Sequence, residues 1–298
     1  MRVTYNALIE SVRNGFYSNI SRLQEVQEKL SSGKNISSPS DGPSDSAKLM
    51  IFKTKKSEYK QFVNNINESL SWLYATESSV NQINNSIMDL RSAAIEGGNG
   101  SLPEEARNSI ALKVIQIKEK LLNDANAKYL NKYLFSGLQT LTKPFDEGPP
   151  VTYNGDTNTM IREISFGADI GINVNGSDLF NMGVSDEPNI FEVIDELALS
   201  LQNGDVNKIS NTILGQLDDF HNIILNTYSE IGSRVQRLEL TRDQHEHYLI
   251  NMTTMISQVE DIDIAKVVMD LNKAEMVYNT SLSVAGRVFP VTLLDFLR

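Results

Sequence analysis

The chain contains no cysteine. Disulfides, thiol nucleophiles and thiolate metal sites are therefore excluded at the outset. Histidine is scarce, at three residues, which leaves little material for imidazole chemistry. Only 8 prolines and 17 glycines interrupt 298 residues, a frequency that suits long helices. Cations are also in deficit: 27 Lys and Arg face 38 Asp and Glu, a net charge of −11. No excess of positive charge is available to displace counterions from phosphates, so a nucleic-acid partner is not expected. No apolar run approaches the roughly 18 residues that span a bilayer, so no membrane partner is expected either. The start, Met1-Arg2-Val3-Thr4-Tyr5-Asn6, has no continuous apolar stretch of the kind a cleaved signal peptide carries.

What the chain does have is heptad spacing. Ile9, Val12, Phe16, Leu23, Val26 and Leu30 alternate at intervals of three and four, with Asn19 in the polar slot and Ile20 beside it. Such spacing places these side chains along one seam of a helix. Ser31-Ser32-Gly33-Lys34 ends it, glycine tolerating the left-handed terminal conformation. In the turn-rich link that follows, Asp41 or Ser44 could cap the next helix, with Pro43 in its first turn. That helix runs from about Ser44 to Glu96 along an unbroken stripe: Tyr59, Phe62, Ile66, Ser69, Leu73, Thr76, Val80, Ile83, Ile87, Leu90 and Ala94. Gly97-Gly98-Asn99-Gly100 should stop it. Ser101-Leu102-Pro103-Glu104 has the form of a capping box for a third helix, seamed by Ala106, Ile110, Val114, Ile117 and Leu121.

The pattern changes over residues 138–187. Prolines 144, 149 and 150 break helix, Asn154-Gly155 and Asn175-Gly176 are turn signals, and Met160 to Ile164 and Ile170 to Val174 read as short strands. Helix returns near Asn189 and breaks at Asn203-Gly204. A long helical tract is then expected from about Asp205 to Ala285, with Ile264, Val267, Leu271, Ala274, Tyr278 and Ala285 on heptad spacing, Leu282 flanking, and Gly286 and Pro290 ending it. The last residues include Leu294, Phe296 and Leu297 and are strongly apolar. The fold class expected is mainly α, an elongated antiparallel helical rod with a small β-rich inserted domain.

No constellation of catalytic residues emerges. His245 and His247, two apart on a predicted helix, point about 160° away from each other, the wrong spacing for a shared metal; they read as solvated. Asp261 and Asp263 have the same geometry. Trp72, next to the seam residue Leu73, reads as core. No G-x-S-x-G or phosphate-loop motif occurs. No cofactor and no enzymatic activity are expected. What remains is the pair of apolar stripes at the two ends. Leaving a large apolar side chain in water forfeits roughly 1.5–3 kcal/mol, so the ends either pair with each other or stay unfolded until they meet neighbouring subunits. Their charges differ mildly, residues 1–34 netting +2 and residues 259–298 netting −2.

Several motifs, in order along the chain, carry a resemblance. Lys29-Leu30-Ser31-Ser32-Gly33-Lys34 with Pro39-Ser40-Asp41-Gly42-Pro43 resembles the N-terminal signature of the flagellin-like family, in the form found in its hook-associated protein 3 branch. Lys132-Tyr133-Leu134-Phe135-Ser136-Gly137, Tyr153 with Gly155-Asp156, and Asn175-Gly176-Ser177-Asp178-Leu179-Phe180 are similar to its middle region. Ile231-Gly232-Ser233-Arg234, Glu260-Asp261-Ile262-Asp263-Ile264-Ala265 and Leu294-Asp295-Phe296-Leu297 resemble its C-terminal segment. Gly42 and Asn131 stand where the family commonly has Asp and Gly.

The resemblance implies an extracellular structural subunit at the junction of flagellar hook and filament, exported without a cleaved signal peptide. It implies assembly with copies of itself in a ring, with a second hook-associated protein on the hook side and flagellin on the filament side. It also implies a flagellar export chaperone holding the C-terminal helix. Residues 1–45 and 260–298 would be assembly segments, disordered until assembly; 46–137 and 188–259 the helical rod; 138–187 the β-rich outer domain. The expected assembly interface comprises Ile9, Val12, Phe16, Leu23, Val26, Leu30, Ile264, Val267, Leu271, Ala274, Tyr278, Leu282, Leu294, Phe296 and Leu297. A short filament flagellin and, from another class, a secreted cell-wall hydrolase are the competing readings.

Overall fold

The computed structural model describes residues 2–148, 150–183 and 188–288. Eight α-helices and four short strands are formed among them: α1 (Arg2–Ser32), α2 (Pro43–Gly97), α3 (Glu104–Ala125), β1 (Lys128–Tyr129), β2 (Lys132–Tyr133), β3 (Ile161–Ser165), β4 (Ala168–Gly171), α4 (Gly176–Leu179), α5 (Ile190–Asn203), α6 (Val206–Lys208), α7 (Leu214–Glu260) and α8 (Ile264–Val288). A π-helical segment, Ile209–Ile213, joins α6 to α7. The chain divides into a terminal unit, Met1–Glu58 with His247–Arg298, and a middle unit, Tyr59–Glu246, the division falling inside α2 and α7.

The middle unit holds the hydrophobic core. Phe62, Ile66, Leu73, Val80, Ile83, Ile87, Leu90 and Ala94 of the α2 stripe are all buried, as the heptad spacing predicts. Its two polar members are buried as well, and each resolves its hydroxyl within the helix: Ser69 Oγ donates to the Asn65 carbonyl and Thr76 Oγ1 to the Trp72 carbonyl. Ile110, Val114, Ile117 and Leu121 of α3 join the same cluster, as do Leu197 and Leu201 of α5 and Ile224, Ile231 and Leu238 of α7. At the end of α2, Gly97 serves close approach: a Cβ there would lie 2.0 Å from Leu201 Cδ2.

Residues 138–187 do not form a core of their own. Phe145, Ile164, Ile170 and Phe180 belong to the one cluster that also contains Phe135 and the helices. Phe180 stacks on Phe191 of α5 at 5.7 Å and meets Phe145 edge-on at 4.9 Å. The strands are short. β3 and β4 pair antiparallel with a register shift between Glu163 and Ser165, and Phe166-Gly167 makes the turn. Asn154-Gly155 is therefore not a hairpin turn, and Asn175-Gly176 opens α4. The turn signal that does act is Leu130-Asn131, both at positive φ, between β1 and β2.

Four local readings are corrected. Pro103, not Ser101, is the N-cap of α3, and it offers no side-chain bond; Ser101 Oγ donates to Asn99 instead. The capping box forms at α5, where Asn189 and Glu192 bond reciprocally, and Gly204 at φ +73° closes that helix. Asp41 turns back to accept from the Ser37 and Ser38 amides and caps nothing in α2. The expected continuous helix over 205–285 is broken at Asp261–Asp263, and Gly286 lies inside α8. The expected stop at Pro290 falls outside the described residues.

Candidate assembly interface

In the terminal unit α1 packs antiparallel on α8. Every member of the first stripe lies on the contacting side: Ile9, Val12, Phe16, Leu23, Val26 and Leu30 are half-buried, and Asn19 and Ile20 with them, while nearly all the intervening residues are exposed. Phe16 stacks on Tyr278 with ring centroids 5.7 Å apart. Across from them Val267, Leu271 and Tyr278 are half-buried and Ala274 and Ala285 buried. Ile264 and Leu282 are not in this contact; they are 66% and 50% exposed. Leu294, Phe296 and Leu297 lie outside the described residues.

The burial achieved this way is small. Among the described residues of the terminal unit, the fully buried hydrophobics are Leu49, Ala274 and Ala285. At about 100° per residue, the α8 seam occupies a single stripe. Ile264, Val268 and Leu282 then run along one flank, Val277 and Val284 along the other, and Met269 and Met276 on the far side. All seven are exposed, Met276 by 70%. A helix with apolar side chains on several sides is one that buries against several neighbours, and α1 covers one side only. The spacing of Val268, Met269, Met276, Val277 and Val284 is readable in sequence, but a search for heptads passes over them.

At the base of the pair the chain makes a compact polar junction. Gly33, at φ +69°, terminates α1. The next residues lie alongside the break between α7 and α8: the Asn35 amide donates to the Glu260 carbonyl at 2.7 Å and the Ile262 amide to the Gly33 carbonyl at 3.2 Å. The Glu260 side chain, 9% exposed, accepts from Lys34 Nζ at 2.7 Å and Lys53 Nζ at 3.0 Å. Its pKa is lowered by the Lys34 hydrogen bond foremost, against the opposing effect of burial, and Lys53 adds to the lowering. Asp263 caps α8 by accepting from the Lys266 amide, and Asp261 bonds the Ser257 hydroxyl. The two aspartates thus end one helix and begin the next.

The signature residues of the middle region also converge, and their role there is packing. Gly137 adopts φ +68° against Asp156, which accepts from the Leu138 and Asn158 amides at 3.0 and 2.9 Å. The Tyr153 hydroxyl lies 2.9 Å from the Phe135 carbonyl and 3.0 Å from that of Asp156, and burial above all pushes its pKa up to about 12. A Cβ on Gly176 would meet the Phe135 carbonyl at 2.7 Å. His245, read from sequence as solvated, is buried: its Nε2 lies 2.7 Å from the Ile164 carbonyl and its ring stacks on Phe62. His247 is exposed. Among the described residues no group of three His, Asp or Glu could hold a metal ion, and no helix is long and apolar enough to cross a membrane.

Comparison with known proteins gives a consistent answer. The model of the bacterial flagellin N-terminal helical region matches residues 3–140, and that of the bacterial flagellin C-terminal helical region matches residues 214–297. The flagellar hook-associated protein 3 of Salmonella typhimurium is 22% identical, covering 96% of this chain and 98% of that one. Two solved structures share the fold. Flagellar hook-associated protein 3 from Legionella pneumophila superposes with a TM-score of 0.65 at 18% identity, over 71% of this chain and 98% of its own. The flagellar junction protein FlgL from the same organism gives 0.62 at 18% identity, over 72% and 99%.

Proposed function

The chain belongs to the flagellin-like family of bacterial flagellar structural proteins, and from that premise we propose that it is the junction subunit between flagellar hook and filament. The observation that carries this reading is the unfinished terminal unit. Among its described residues it has a seam of half-buried side chains, three fully buried hydrophobics and a helix, α8, that exposes apolar side chains on both flanks and the far side of the seam. Each large side chain left outside costs roughly 1.5–3 kcal/mol relative to burial. Only neighbouring helices supply that burial, and copies of the same chain carry the matching surface. Segments 1–45 and 260–298 accordingly become fixed on assembly, with the named seam residues as the interface and Leu294, Phe296 and Leu297 extending it. Segments 46–137 and 188–259 form the helical body, with 138–187 facing outward.

The partners that follow are copies of this chain in a ring, a second hook-associated protein on the hook side and flagellin on the filament side. A flagellar export chaperone shields the apolar faces of α8 before export to the flagellum outside the cell. The function is mechanical and non-enzymatic. Leu271→Asp tests it by placing a charge in the seam. The variant is expected to be missing from the hook–filament joint of detached flagella, and filaments to be lost. Normal filament attachment by this variant would refute the assignment. Purified wild-type chain that polymerises alone into long filaments would show a short flagellin instead.

A further inference from the structure

The apolar seam of the α1–α8 pair does not define its own register. Heptad seams tolerate slips of seven residues, because each slip again sets apolar residues against apolar ones. Here the seam is further weakened by Asn19, Ala274, Ser281 and Ala285, small or polar side chains that give little shape to lock onto. Toward the base, a cleft of about 760 Å³ runs beside the seam residues Val26 and Val267, lined otherwise by polar side chains that include Arg22, Glu25, Lys266 and Asp270. The seam is thus flanked by charge where alignment must be set.

The geometry points to Glu260 as the register lock of the terminal helix pair. Its carboxylate, four residues before α8 begins, joins Lys34, two residues beyond the end of α1, and Lys53 of α2. Antiparallel backbone bonds from Asn35 to Glu260 and from Ile262 to Gly33 flank it. A helix that begins four residues from a fixed point cannot slip by seven against one that ends two residues from the same point. The carboxylate is buried and charged, so each wrong alignment takes Lys34 away and leaves Lys53 as its remaining partner, and losing half the compensation of a buried charge costs more than breaking an exposed pair would. A polar residue that specifies alignment at the expense of stability is the best-attested use of a buried charge. Two motifs far apart in sequence, Gly33-Lys34 and Glu260-Asp261-Ile262, thereby acquire one joint role.

The absence of cysteine makes the proposal directly testable, since any introduced pair is the only one. Phe16→Cys/Tyr278→Cys reports the native register, because those rings stack at 5.7 Å. Ile9→Cys/Tyr278→Cys and Leu23→Cys/Tyr278→Cys report slips of seven residues in either direction. Intramolecular disulfide is measured on the free full-length chain and on detached flagella, so that a failure of the junction reading leaves this test intact. With Glu260 present, the native pair is expected to crosslink at least about tenfold more than either slipped pair in one or both forms. In Glu260→Gln that preference should fall to about twofold or less. The inverted triad Lys34→Glu/Lys53→Glu/Glu260→Lys should restore it, which a purely steric role for Glu260 would not allow. Fluorescence melting at Trp72, buried in the middle unit, checks that the rest of the chain is folded. The proposal is overturned if Glu260→Gln keeps the native preference, if the triad fails to restore it, or if wild type shows no preference in either form.

Discussion

Replacing Gly137 by alanine puts a methyl group where the structure has no room. The new Cβ would lie 2.2 Å from Asp156 Oδ1 and 2.3 Å from the Asp156 carbonyl oxygen, and the second of these is backbone that cannot swing aside. Residue 137 must also hold φ +68°, a left-handed conformation that costs an L-residue about 1–2 kcal/mol. Overpacking a filled site adds about 1–3 kcal/mol, for a total of about 2–5 kcal/mol. Gly167 supplies the control. Its φ is nearly the same, +66°, yet nothing lies within 4 Å of its would-be Cβ, so Gly167→Ala should cost the conformational part alone. At about 2–4 °C per kcal/mol for a unit of this size, Gly137→Ala should lower the melting temperature by about 10 °C and Gly167→Ala by about 4 °C. The assay is thermal unfolding followed by the fluorescence of the single tryptophan, Trp72, which is 6% exposed in the middle unit. Equal shifts for the two variants would refute the steric argument and leave backbone strain as the whole effect.

Two further predictions concern charge. Because the folded pKa of Glu260 lies below the ordinary 4.5, its contribution is present above that value and lost as pH falls through the lowered one. The stability that wild type holds over Glu260→Gln, followed by thermal unfolding, should therefore persist at neutral pH and close as pH falls through the lowered pKa; a gap independent of pH would contradict it. Asp124 has the opposite sign. Burial raises its carboxyl pKa, it sits in the last turn of α3 where the helix dipole disfavours an anion, and its Oδ2 has no hydrogen-bond partner among the described residues. The stability tied to its proton is present below the unfolded pKa and lost as pH rises through the folded one. Asp124→Asn should thus raise the neutral-pH melting temperature by about 2 °C, with the advantage closing toward pH 3; a lower melting temperature at neutral pH would count against it.

The elements legible in sequence are those whose signal is local and repetitive. The α2 stripe from Phe62 to Ala94 was readable because each member sits on one face of one helix, and burial follows from spacing alone. The half-buried positions of α1 were readable for the same reason. His245 shows where this fails: its partners, the Ile164 carbonyl and the Phe62 ring, come from a strand and a helix distant along the chain, and nothing in its own neighbourhood distinguishes it from exposed His247. The break at Asp261–Asp263 was hidden similarly. Ser257, Asp261, Asp263 and Lys266 suit a helix about as well as an interruption, until Gly33 and Asn35 arrive to bond the freed backbone.

By itself, then, the sequence determined most of the helices, the stops at Gly33, Gly97 and Gly204, the two apolar stripes and the family signatures, all of which depend on neighbours within a few residues. Tertiary structure alone decided that residues 138–187 share the helices' core, that α8 exposes apolar side chains on three sides, and that Glu260 meets Lys34 and Lys53. Those outcomes depend on which distant surfaces come to face each other, and residue spacing along a chain does not encode that.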